Sequence, residues 1–417
     1  MSDRVTYHEG HVLAIVVLLG SLLISTMGIG FVVPFLPVIA TDLGATGFAV
    51  GVMMAVFSLS MGVSQPFVGS ISDRYGRKPF LVVGLVIYSA CGFAYILASS
   101  LFEITAVRFI QGFGGGLVFS VSMAYMGDLA PKEYEGRYMG IYNVALFAGF
   151  GLGPLFGGVL KDLFGMAAAF YGMGMSSAAA SVICLLFLPS RSPQVTKEEH
   201  QGVRAVFQAI LSERRMRGVL LARLAVMLSM VPSFIFLPII MTQVMAASGT
   251  QIGVVITSRT LVSAILQYPF GLVADKYNRG TLTLVALFGM AGLVCMIGFS
   301  TEFWQLLILF GCLGISEAIF MPANSAMTLE GGRAFGMGST MGVINTAMSV
   351  GMLIGSMAAG LLVDAVGMTI AFAIVGLVVV LCAAISWPMI RAPLSGHSFE
   401  DTPALAMVKE VTVSKST

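Results

Sequence analysis

Charged residues are scarce in this sequence. They make up 10% of its 417 residues, against 57% hydrophobic residues, whereas soluble globular domains carry roughly 25% charged residues. A chain of this length could not bury so much apolar surface in a soluble core. The composition therefore excludes a water-soluble protein and indicates that most of the chain does not face water.

Residues that support catalysis are also rare. Only 4 histidines occur, and they lie in the tails, at the first membrane boundary or in the central linker: His8, His11, His200 and His397. The 5 cysteines lie inside apolar runs, with no spacing typical of disulfides or zinc sites. No Gly-x-x-x-x-Gly-Lys-[Ser/Thr] phosphate-binding loop is present. We expect no enzymatic activity, no metal site, no cofactor and no use of ATP.

What the sequence has instead is a series of long apolar runs. A helix needs ~20 mostly apolar residues to cross a bilayer, and twelve runs of about that size predict twelve transmembrane helices, here named span 1 to span 12. A cleaved signal peptide is the alternative for span 1, but that run is too long and eleven more follow it. The predicted limits are, in order, 12–38, 47–70, 79–99, 102–126, 138–160, 166–188, 218–243, 250–273, 281–299, 304–327, 337–362 and 367–390.

Basic residues outside the spans lie almost entirely on one side of the predicted membrane. With the N-terminus in the cytoplasm, the cytoplasmic segments hold eighteen Lys and Arg residues, and the external loops hold only Lys161. Positively charged loops stay inside, so both termini are predicted to be cytoplasmic, in the inner membrane of a prokaryotic cell. The net charge of +2 reflects this orientation and gives no indication of nucleic-acid binding.

The chain contains an internal repeat with an offset of 202 residues. The stretch Ile141–Gly165 aligns without gaps on Val343–Gly367, and the same offset carries the end of span 2 onto the end of span 8. Two homologous halves in parallel orientation follow, an arrangement found in alternating-access transporters. The identical pairs are Asn143/Asn345, Ala145/Ala347, Gly149/Gly351, Gly153/Gly355, Gly158/Gly360, Leu160/Leu362, Asp162/Asp364, Gly165/Gly367, Gln65/Gln267, Gly69/Gly271, Asp73/Asp275, Tyr75/Tyr277 and Arg77/Arg279.

The predicted fold is an all-α integral membrane protein with two pseudo-symmetric bundles of six helices, residues 1–188 and 218–391. Residues 189–217 join the bundles in the cytoplasm. In this linker a Thr-x-x-Glu capping-box pattern precedes apolar residues at helical spacing, which predicts a short amphipathic helix on the membrane surface; a flexible linker is the alternative. Residues 392–417 are polar, and we expect a disordered tail there.

The loop after span 2 carries a dense motif, Gly69-Ser-Ile-Ser-Asp73-Arg74-Tyr-Gly76-Arg77-Lys78-Pro. Gly76 can adopt the positive φ of a tight reversal. The motif resembles the signature loop of the major facilitator superfamily, in which an Asp and basic residues latch the two halves together on the cytoplasmic side. The resemblance implies that Asp73 contacts the start of span 11 and that Arg77 reaches Asp128 at the end of span 4. The alternative is that the basic residues only fix the topology.

The repeat places a second latch motif after span 8. Asp275 and Arg279 occupy the matching positions, and Asn278 replaces Gly76. Asparagine tolerates the left-handed conformation, so we expect Asn278 to take the role of the glycine. The second latch is predicted to be degenerate rather than lost.

Span 4 carries Arg108 and Gln111 one helical turn apart, followed by a run of glycines. This segment resembles the second motif of the same superfamily, whose Arg is implicated in proton coupling. An Arg deep inside a span costs roughly 2.5–3.5 kcal/mol on insertion scales and needs a partner or an aqueous cavity. The resemblance implies a coupling role for Arg108; a structural hydrogen bond is the alternative.

Glycines recur every four residues along span 5, at Gly149, Gly153 and Gly157, and predict a smooth packing face. Pro154 and Gly158 complete a Gly-Pro-x-x-Gly-Gly sequence, and the proline predicts a kink. The sequence resembles the antiporter motif of the 12-helix drug:proton antiporter branch. A packing face of the kind common to many membrane helices is the alternative.

Two further ionisable residues lie deep inside spans, Arg259 in span 8 and Glu317 in span 10. At 1.5 Å per residue, their offset along the membrane normal is ~6 Å, within reach of an arginine. A carboxylate whose partner moves during transport could take up and release a proton; a fixed pair that holds the two spans together is the alternative. Arg223, about two turns inside span 7, is expected to extend to the inner surface.

Together these features predict a monomeric secondary active transporter in a lipid bilayer that exports a hydrophobic or amphipathic small molecule in exchange for protons. Span 1 and the body of span 4 lack a carboxylate, so an anionic or zwitterionic metabolite or lipid, with uptake as an option, is the second interpretation. A non-transporting receptor or scaffold is disfavoured, because a static protein needs no latch. Polar residues expected to line the substrate cavity are Ser25, Gln111, Tyr125, Asn143, Ser233, Gln267, Asn324 and Asn345.

Overall fold

Helices account for most of the chain. The computed structural model describes residues 2–131, 135–189, 210–335 and 337–392, with the side chains in these ranges except those of residues 2–10, 66, 70, 73, 135–136, 329 and 331–346. The apolar runs form helices because a bilayer offers no water to free backbone N–H and C=O groups. Within the described ranges, eleven helices are long and apolar enough to cross a membrane, and the last of them holds two spans.

Each predicted span corresponds to helical structure. Span 1 is formed by Ser2–Val32 and Leu36–Asp42, and spans 11 and 12 lie within Met337–Ile390. The prediction of twelve transmembrane helices is thus confirmed, and most helices extend a few residues past the predicted limits, because their polar ends continue beyond the apolar run. Spans 2 to 10 are, in order, Gly47–Tyr75, Arg77–Leu97, Leu101–Leu129, Glu135–Phe164, Met166–Phe187, Arg214–Gln243, Gly249–Lys276, Arg279–Ile297 and Phe303–Phe335.

Three of the connections turn on a single glycine with a positive φ. Gly76 (φ 91°) separates spans 2 and 3, as the sequence predicts. Gly165 (φ 85°) separates spans 5 and 6, and Gly367 (φ 78°), its counterpart in the repeat, separates spans 11 and 12. Residues with a Cβ rarely adopt this conformation, so these tight reversals depend on glycine.

The turn between spans 8 and 9 is built differently. Asn278, the counterpart of Gly76, has φ −63°, and its Oδ1 accepts a hydrogen bond from the backbone N–H of Thr281 at 3.0 Å. The prediction of a left-handed Asn278 is therefore wrong. The residue serves as the N-cap of span 9, and an N-cap has an extended backbone.

The two halves repeat the same helix contacts. Span 4 packs on spans 2 and 3 in the first half, and span 10 packs on spans 8 and 9 in the second. The repeat extends to single residues: Gly112 of span 4 lies against the backbone carbonyl of Phe57, and Gly314 of span 10 lies against the carbonyl of Arg259. Both pairs are related by the offset of 202 residues.

The halves meet mainly along two interfaces, span 5 with span 8 and span 2 with span 11, and the Leu36–Asp42 segment of span 1 also contacts span 7. Glycines let the backbones touch there, since a Cβ on Gly158 would collide with the carbonyl of Gly249, and one on Gly360 with the carbonyl of Gly47. We name this end of the bundle, at the starts of spans 2 and 8, the closed end. The opposite end, at which the latch motifs lie, is the motif end.

Toward the motif end the halves separate. Midway along the interface, a Cβ on Gly151 of span 5 would lie 3.0 Å from Cγ2 of Thr260 in span 8. Farther along, a Cβ on Gly69, Gly140 or Gly271 would meet no described atom within 4 Å. The described side chains therefore form a bundle that is closed at one end and open at the other.

The glycine face of span 5 packs on span 1. Gly149 lies against Thr26 and Gly157 against the backbone of Phe31, and a Cβ on Gly153 would lie 2.7 Å from the Cα of Gly30. Gly158 points the other way, toward span 8, and Pro154 lies inside the helix. Span 5 therefore packs on span 1 through one glycine face and on span 8 through another.

Several predictions fall outside the described residues. The prediction of an amphipathic linker helix falls mainly on residues 190–209, and the prediction of a disordered tail on residues 393–417. The division of the chain into bundles 1–188 and 218–391 also stays a prediction.

Replacing Gly153 by valine should destabilise the folded protein, because the added side chain has to displace the backbone of span 1. Overpacking of this kind costs about 1–3 kcal/mol. The matched control is Gly140→Val in the same span, where the added Cβ meets no described atom within 4 Å. Thermal unfolding of both purified variants measures the difference, and an equal midpoint for the two would refute close packing at Gly153.

Candidate functional site

The deepest ion pair joins spans 8 and 10. Arg259 Nε donates to Glu317 Oε2 at 3.2 Å, and the two side chains are 1% and 12% exposed. The contact expected from their helical offset is therefore present. The Arg259 guanidinium also lies 5.1 Å from the ring centroid of Phe234 in span 7, in cation–π geometry.

Two donors of Arg259 remain available. Its Nη1 and Nη2 are buried and have no hydrogen-bond partner among the described residues. Buried donors without a partner are costly. The pair with Glu317 therefore satisfies only part of the guanidinium, and a bound molecule or a second conformation can supply the missing acceptors.

Arg108 in span 4 is buried without a carboxylate partner among the described side chains. It is 2% exposed, and its Nη1 donates at 3.0 Å to Gln111 Oε1, which also accepts from the Tyr95 hydroxyl at 2.8 Å. Its Nη2 lies 2.9 Å from Met54 Sδ, and its guanidinium lies 5.1 Å from the Phe57 ring centroid. Dipoles, a ring and a sulfur thus stabilise this charge instead of a counter-ion.

The deep charges are where the two halves differ. In the repeat, Arg259 corresponds to Phe57 and Glu317 corresponds to Gly115. The arginine of the first half extends from span 4 toward span 2, whereas that of the second half extends from span 8 toward span 10. The common scaffold therefore holds two different buried polar groups.

Arg223 in span 7 is buried, so the expectation that it extends to the inner surface is wrong. It is 9% exposed, its Nη1 lies 3.0 Å from Met321 Sδ, and its Nε has no hydrogen-bond partner in the described structure. The reason is that span 10 covers this part of span 7. One turn along span 10, Asn324 Nδ2 donates to the carbonyl of Val219 at 3.4 Å, while its buried Oδ1 has no partner among the same residues.

Two of the predicted cavity residues use their hydroxyls in hydrogen bonds to backbone carbonyls. The Tyr125 hydroxyl donates to the carbonyl of Pro189 at 2.6 Å, and Ser233 Oγ donates to the carbonyl of Ser229 at 2.6 Å. Ser25 is fully buried, and its hydroxyl has no partner in the described part of the chain. Ser25 therefore retains a free polar group, whereas the first two hydroxyls are already engaged.

The other cavity candidates are scattered. Gln111 is engaged with Arg108, as described above. Asn143 is exposed in span 5, and Gln267 is half-buried in span 8. The side chain of Asn345 lies outside the described residues.

One of the two contacts expected of the latch motif after span 2 is present. Arg77 Nε lies 3.0 Å from Asp128 Oδ2, and Arg77 Nη1 donates to Ser72 Oγ at 2.8 Å. Arg74 is exposed and Lys78 is half-buried. The side chain of Asp73 lies outside the described residues, so its contact with span 11 stays a prediction.

The second latch motif centres on Glu330, a residue that the sequence analysis missed. Arg279 Nη1 lies 2.5 Å from Glu330 Oε1, and Arg215 Nη2 lies 2.6 Å from Glu330 Oε2. Arg279 also lies 3.6 Å from Asp275. Glu330 stands 202 residues after Asp128, so the repeat alone could have identified it. It joins the end of span 10 to the starts of spans 7 and 9.

A latch arginine thus contacts a carboxylate at the end of span 4 or span 10 in each half, Arg77 with Asp128 and Arg279 with Glu330. The family model of the Major Facilitator Superfamily matches residues 18–246 and 219–409. The chain belongs to this superfamily. As a member of the Major Facilitator Superfamily, it is a multi-pass membrane transporter.

Relatives of this major facilitator protein include drug-resistance proteins. It is 27% identical over 332 residues to an MFS-type transporter of Methanocaldococcus jannaschii, covering 79% of this chain and 86% of the relative. It is 25% identical over 342 residues to the quinolone resistance protein NorA of Staphylococcus aureus, covering 79% and 84%. A bacterial homologue of the lysosomal transporter Spinster shares its fold, with a TM-score of 0.77 at 13% identity, over 92% of this chain and 97% of that one.

Replacing Glu330 by glutamine should destabilise this major facilitator protein, because two arginines lose one shared carboxylate. Partly exposed ion pairs are each worth at most about 1 kcal/mol, so we expect a loss of about 1 kcal/mol. The matched control is Asp275→Asn, whose side chain is 71% exposed and whose loss should have little effect. Thermal unfolding in detergent compares them, and equal midpoints would contradict the central role of Glu330.

Proposed function

We propose that this transporter exports hydrophobic or amphipathic small molecules in exchange for protons, by alternating access of a central site to the two sides of the membrane. The observation that carries the proposal is the buried pair of Arg259 and Glu317, with Nε and Oε2 3.2 Å apart. Glu317 is a carboxylate deep inside a span, and intramembrane carboxylates mark ion and proton pathways.

The position of Arg259 couples this pair to the contact between the halves. Arg259 lies between Thr257, whose Oγ1 donates to the carbonyl of Gly151 in span 5 at 2.6 Å, and Thr260, which also lies against Gly151. A change in the contact between spans 5 and 8 therefore acts on the segment that carries Arg259.

Separation of the pair provides the proton step. An ionised carboxylate without a partner is costly in a low-dielectric site. Glu317 therefore binds a proton when Arg259 is drawn away, and it releases the proton when the pair forms again. The alternative is that the pair only holds spans 8 and 10 together.

The surroundings of the deep arginines favour an apolar, adaptable substrate site. A methionine or an aromatic side chain contacts each of the three guanidinium groups, and methionine adjusts to ligands of different shape. Similarity to a quinolone resistance protein supports the same interpretation. The contacting residues are Met54 and Phe57 at Arg108, Met321 at Arg223, and Phe234 at Arg259.

We assign the motif end to the cytoplasm. The basic residues of the loops lie at that end, including Arg74, Lys78 and Lys276, and basic loops stay inside. Both termini are then cytoplasmic, and the closed end faces the exterior of a prokaryotic cell. The structure corresponds to a state that is open to the cytoplasm, from which an exporter loads its substrate.

An anionic or zwitterionic substrate is the second candidate. Three buried arginines, Arg108, Arg223 and Arg259, accompany the deep carboxylate of Glu317. The Nη1 and Nη2 atoms of Arg259, which have no hydrogen-bond partner within the described ranges, suit a carboxylate or phosphate, which binds two guanidinium donors at once.

Glu317→Gln tests the proton step. Transport driven by a pH gradient in proteoliposomes should fall to the level of protein-free liposomes, because the amide cannot carry a proton, whereas substrate counterflow without a gradient should persist. The matched control is Glu302→Gln, the same change at an exposed position of the same half, which should leave both activities intact. Gradient-driven transport that survives in Glu317→Gln would exclude this residue as the carrier, and a parallel loss of both activities and of thermal stability would favour the structural pair.

A second experiment compares two ligands with one hydrophobic scaffold, one bearing an amine and one a carboxylate. Under the leading proposal the hydrophobic scaffold is recognised, so both ligands raise the unfolding temperature of the purified protein and Arg259→Gln preserves both shifts. Stabilisation by the carboxylate that disappears in Arg259→Gln would instead establish the anionic candidate, because that variant removes the free guanidinium donors.

A further inference from the structure

Two carboxylates reach across the contact between the halves at the closed end. Asp162, near the end of span 5, accepts hydrogen bonds from the backbone N–H groups of Gly249 (2.8 Å) and Thr250 (2.7 Å) at the start of span 8. Its Oδ2 also accepts from Thr250 Oγ1 at 2.6 Å. The contact joins a side chain of one half to the backbone of the other.

The same contact occurs a second time with the halves exchanged. Asp364, near the end of span 11, accepts from the backbone N–H groups of Gly47 (2.6 Å) and Phe48 (2.8 Å) at the start of span 2. Asp162 and Asp364 are related by the offset of 202 residues, and so are Gly47 and Gly249. Two pseudo-symmetric ties, which we name the cross-half caps, therefore connect the halves.

Each cross-half cap completes a helix N-terminus that is otherwise only partly satisfied. The first backbone N–H groups of a helix have no partner within the helix. In each of spans 2 and 8 the third backbone N–H group donates to the hydroxyl of the helix's own N-cap residue. These bonds join Ala49 N to Thr46 Oγ1 and Gln251 N to Ser248 Oγ, both at 3.2 Å. The first two groups are left to the aspartate of the other half, so the caps are complete only while this end is closed.

Glycine positions the aspartates for this role. Gly158 and Gly360 lie one helical turn before Asp162 and Asp364 on the same face of spans 5 and 11. At these glycines the spans touch backbone to backbone, against Gly249 and Gly47. The close approach brings each carboxylate within hydrogen-bond distance of the next N-terminus, where the helix dipole favours a negative charge.

The cross-half caps are suited to opening as well as closing. Both aspartates are exposed, so water can replace the protein partners of the carboxylates and of the N–H groups when the halves part. A buried pair of ions would not separate so readily, because desolvation makes the loss of one partner costly.

We propose that Asp162 and Asp364 are positioning residues for transport, which hold the closed end shut and thereby set the ratio of its closed to its open state. This inference rests on the alternating-access part of the proposed function, and it is independent of the coupling ion and of the substrate. The residues act through the helices they cap, not through contact with substrate.

Distances between spin labels in the purified full-length protein test the proposal. One label pair replaces Leu97 and Phe299, exposed counterparts at the closed end, and a second pair replaces Tyr75 and Tyr277, exposed counterparts at the motif end. The native cysteines are first removed. Double electron–electron resonance then reports the populations of open and closed states at each end.

Asp162→Ala and Asp364→Ala remove the acceptors while keeping a residue with high helix propensity. Loss of a helix cap changes the equilibrium between the capped and uncapped states about fivefold. Each variant should therefore raise the ratio of open to closed molecules at the closed end about fivefold. Distant sites add, so the double variant should reach about 25-fold, with the motif-end pair shortening as the closed-end pair lengthens. A merely structural role would lower thermal stability without shifting these populations.

The matched control is the double variant Asp42→Ala with Glu302→Ala. It removes two exposed carboxylates from the same end, one in each half, that make no described cross-half hydrogen bond, and it should leave the distances unchanged. Unchanged distances in Asp162→Ala and Asp364→Ala, when Asp73→Asn shifts them, would overturn the inference and leave alternating access standing. Distances that change in none of the variants would overturn both the role of the cross-half caps and the alternating-access proposal. If the double variant does not fold, the two single variants provide the test.

Discussion

Backbone hydrogen bonding is the constraint on which the rest of this structure depends. In the hydrocarbon of a bilayer every N–H and C=O group needs a partner within the protein, and helices supply those partners along their length. Apart from carbonyls freed by prolines inside helices, such as Pro154 in span 5, unpaired backbone groups are therefore concentrated at helix ends. In this protein the helix ends are also where the halves are joined: Asp162 and Asp364 bond to the first N–H groups of spans 8 and 2. The lateral surfaces of these spans contribute mainly small residues that permit close approach. Apart from the bond of Thr257 to the carbonyl of Gly151, the described hydrogen bonds between the halves lie at the membrane boundary.

Duplication preserved the scaffold more closely than the buried charges. The glycine contacts between spans 2 and 4 recur between spans 8 and 10, and the ion pair of Arg77 with Asp128 recurs as Arg279 with Glu330. The deep positions diverged, since Arg259 and Glu317 stand where the first half has Phe57 and Gly115. Packing and closure are thus common properties of both halves, whereas the polar chemistry of the interior is particular to each one.

Much of the fold could be predicted because the hydrophobic runs, the glycine spacing and the repeat can be read from the sequence without knowledge of tertiary contacts. The reach of Arg259 to Glu317 followed from helix geometry alone. The errors have physical causes. Arg223 is covered by span 10, and no property of span 7 by itself reveals that cover. An asparagine at position 278 is compatible with either a left-handed turn or an N-cap, and in the structure it is the N-cap of span 9. The partners of Asp162 and Asp364 depend on the register between the halves, which neither half encodes alone.

The single-glycine turns at Gly165 and Gly367 have a consequence for the surrounding lipid. Each glycine follows a cross-half aspartate by three residues. It is the whole connection between an interface span, 5 or 11, and the next span, 6 or 12. A change in tilt of span 5 or span 11 must therefore carry its neighbour along. Span 6 exposes large apolar side chains such as Leu185 and Leu186, and tilting such a helix alters its match to the hydrocarbon thickness, at a cost of fractions of a kcal/mol per Å. Bilayer thickness thereby becomes a thermodynamic variable of the conformational cycle, and membranes of different composition will weight its states differently.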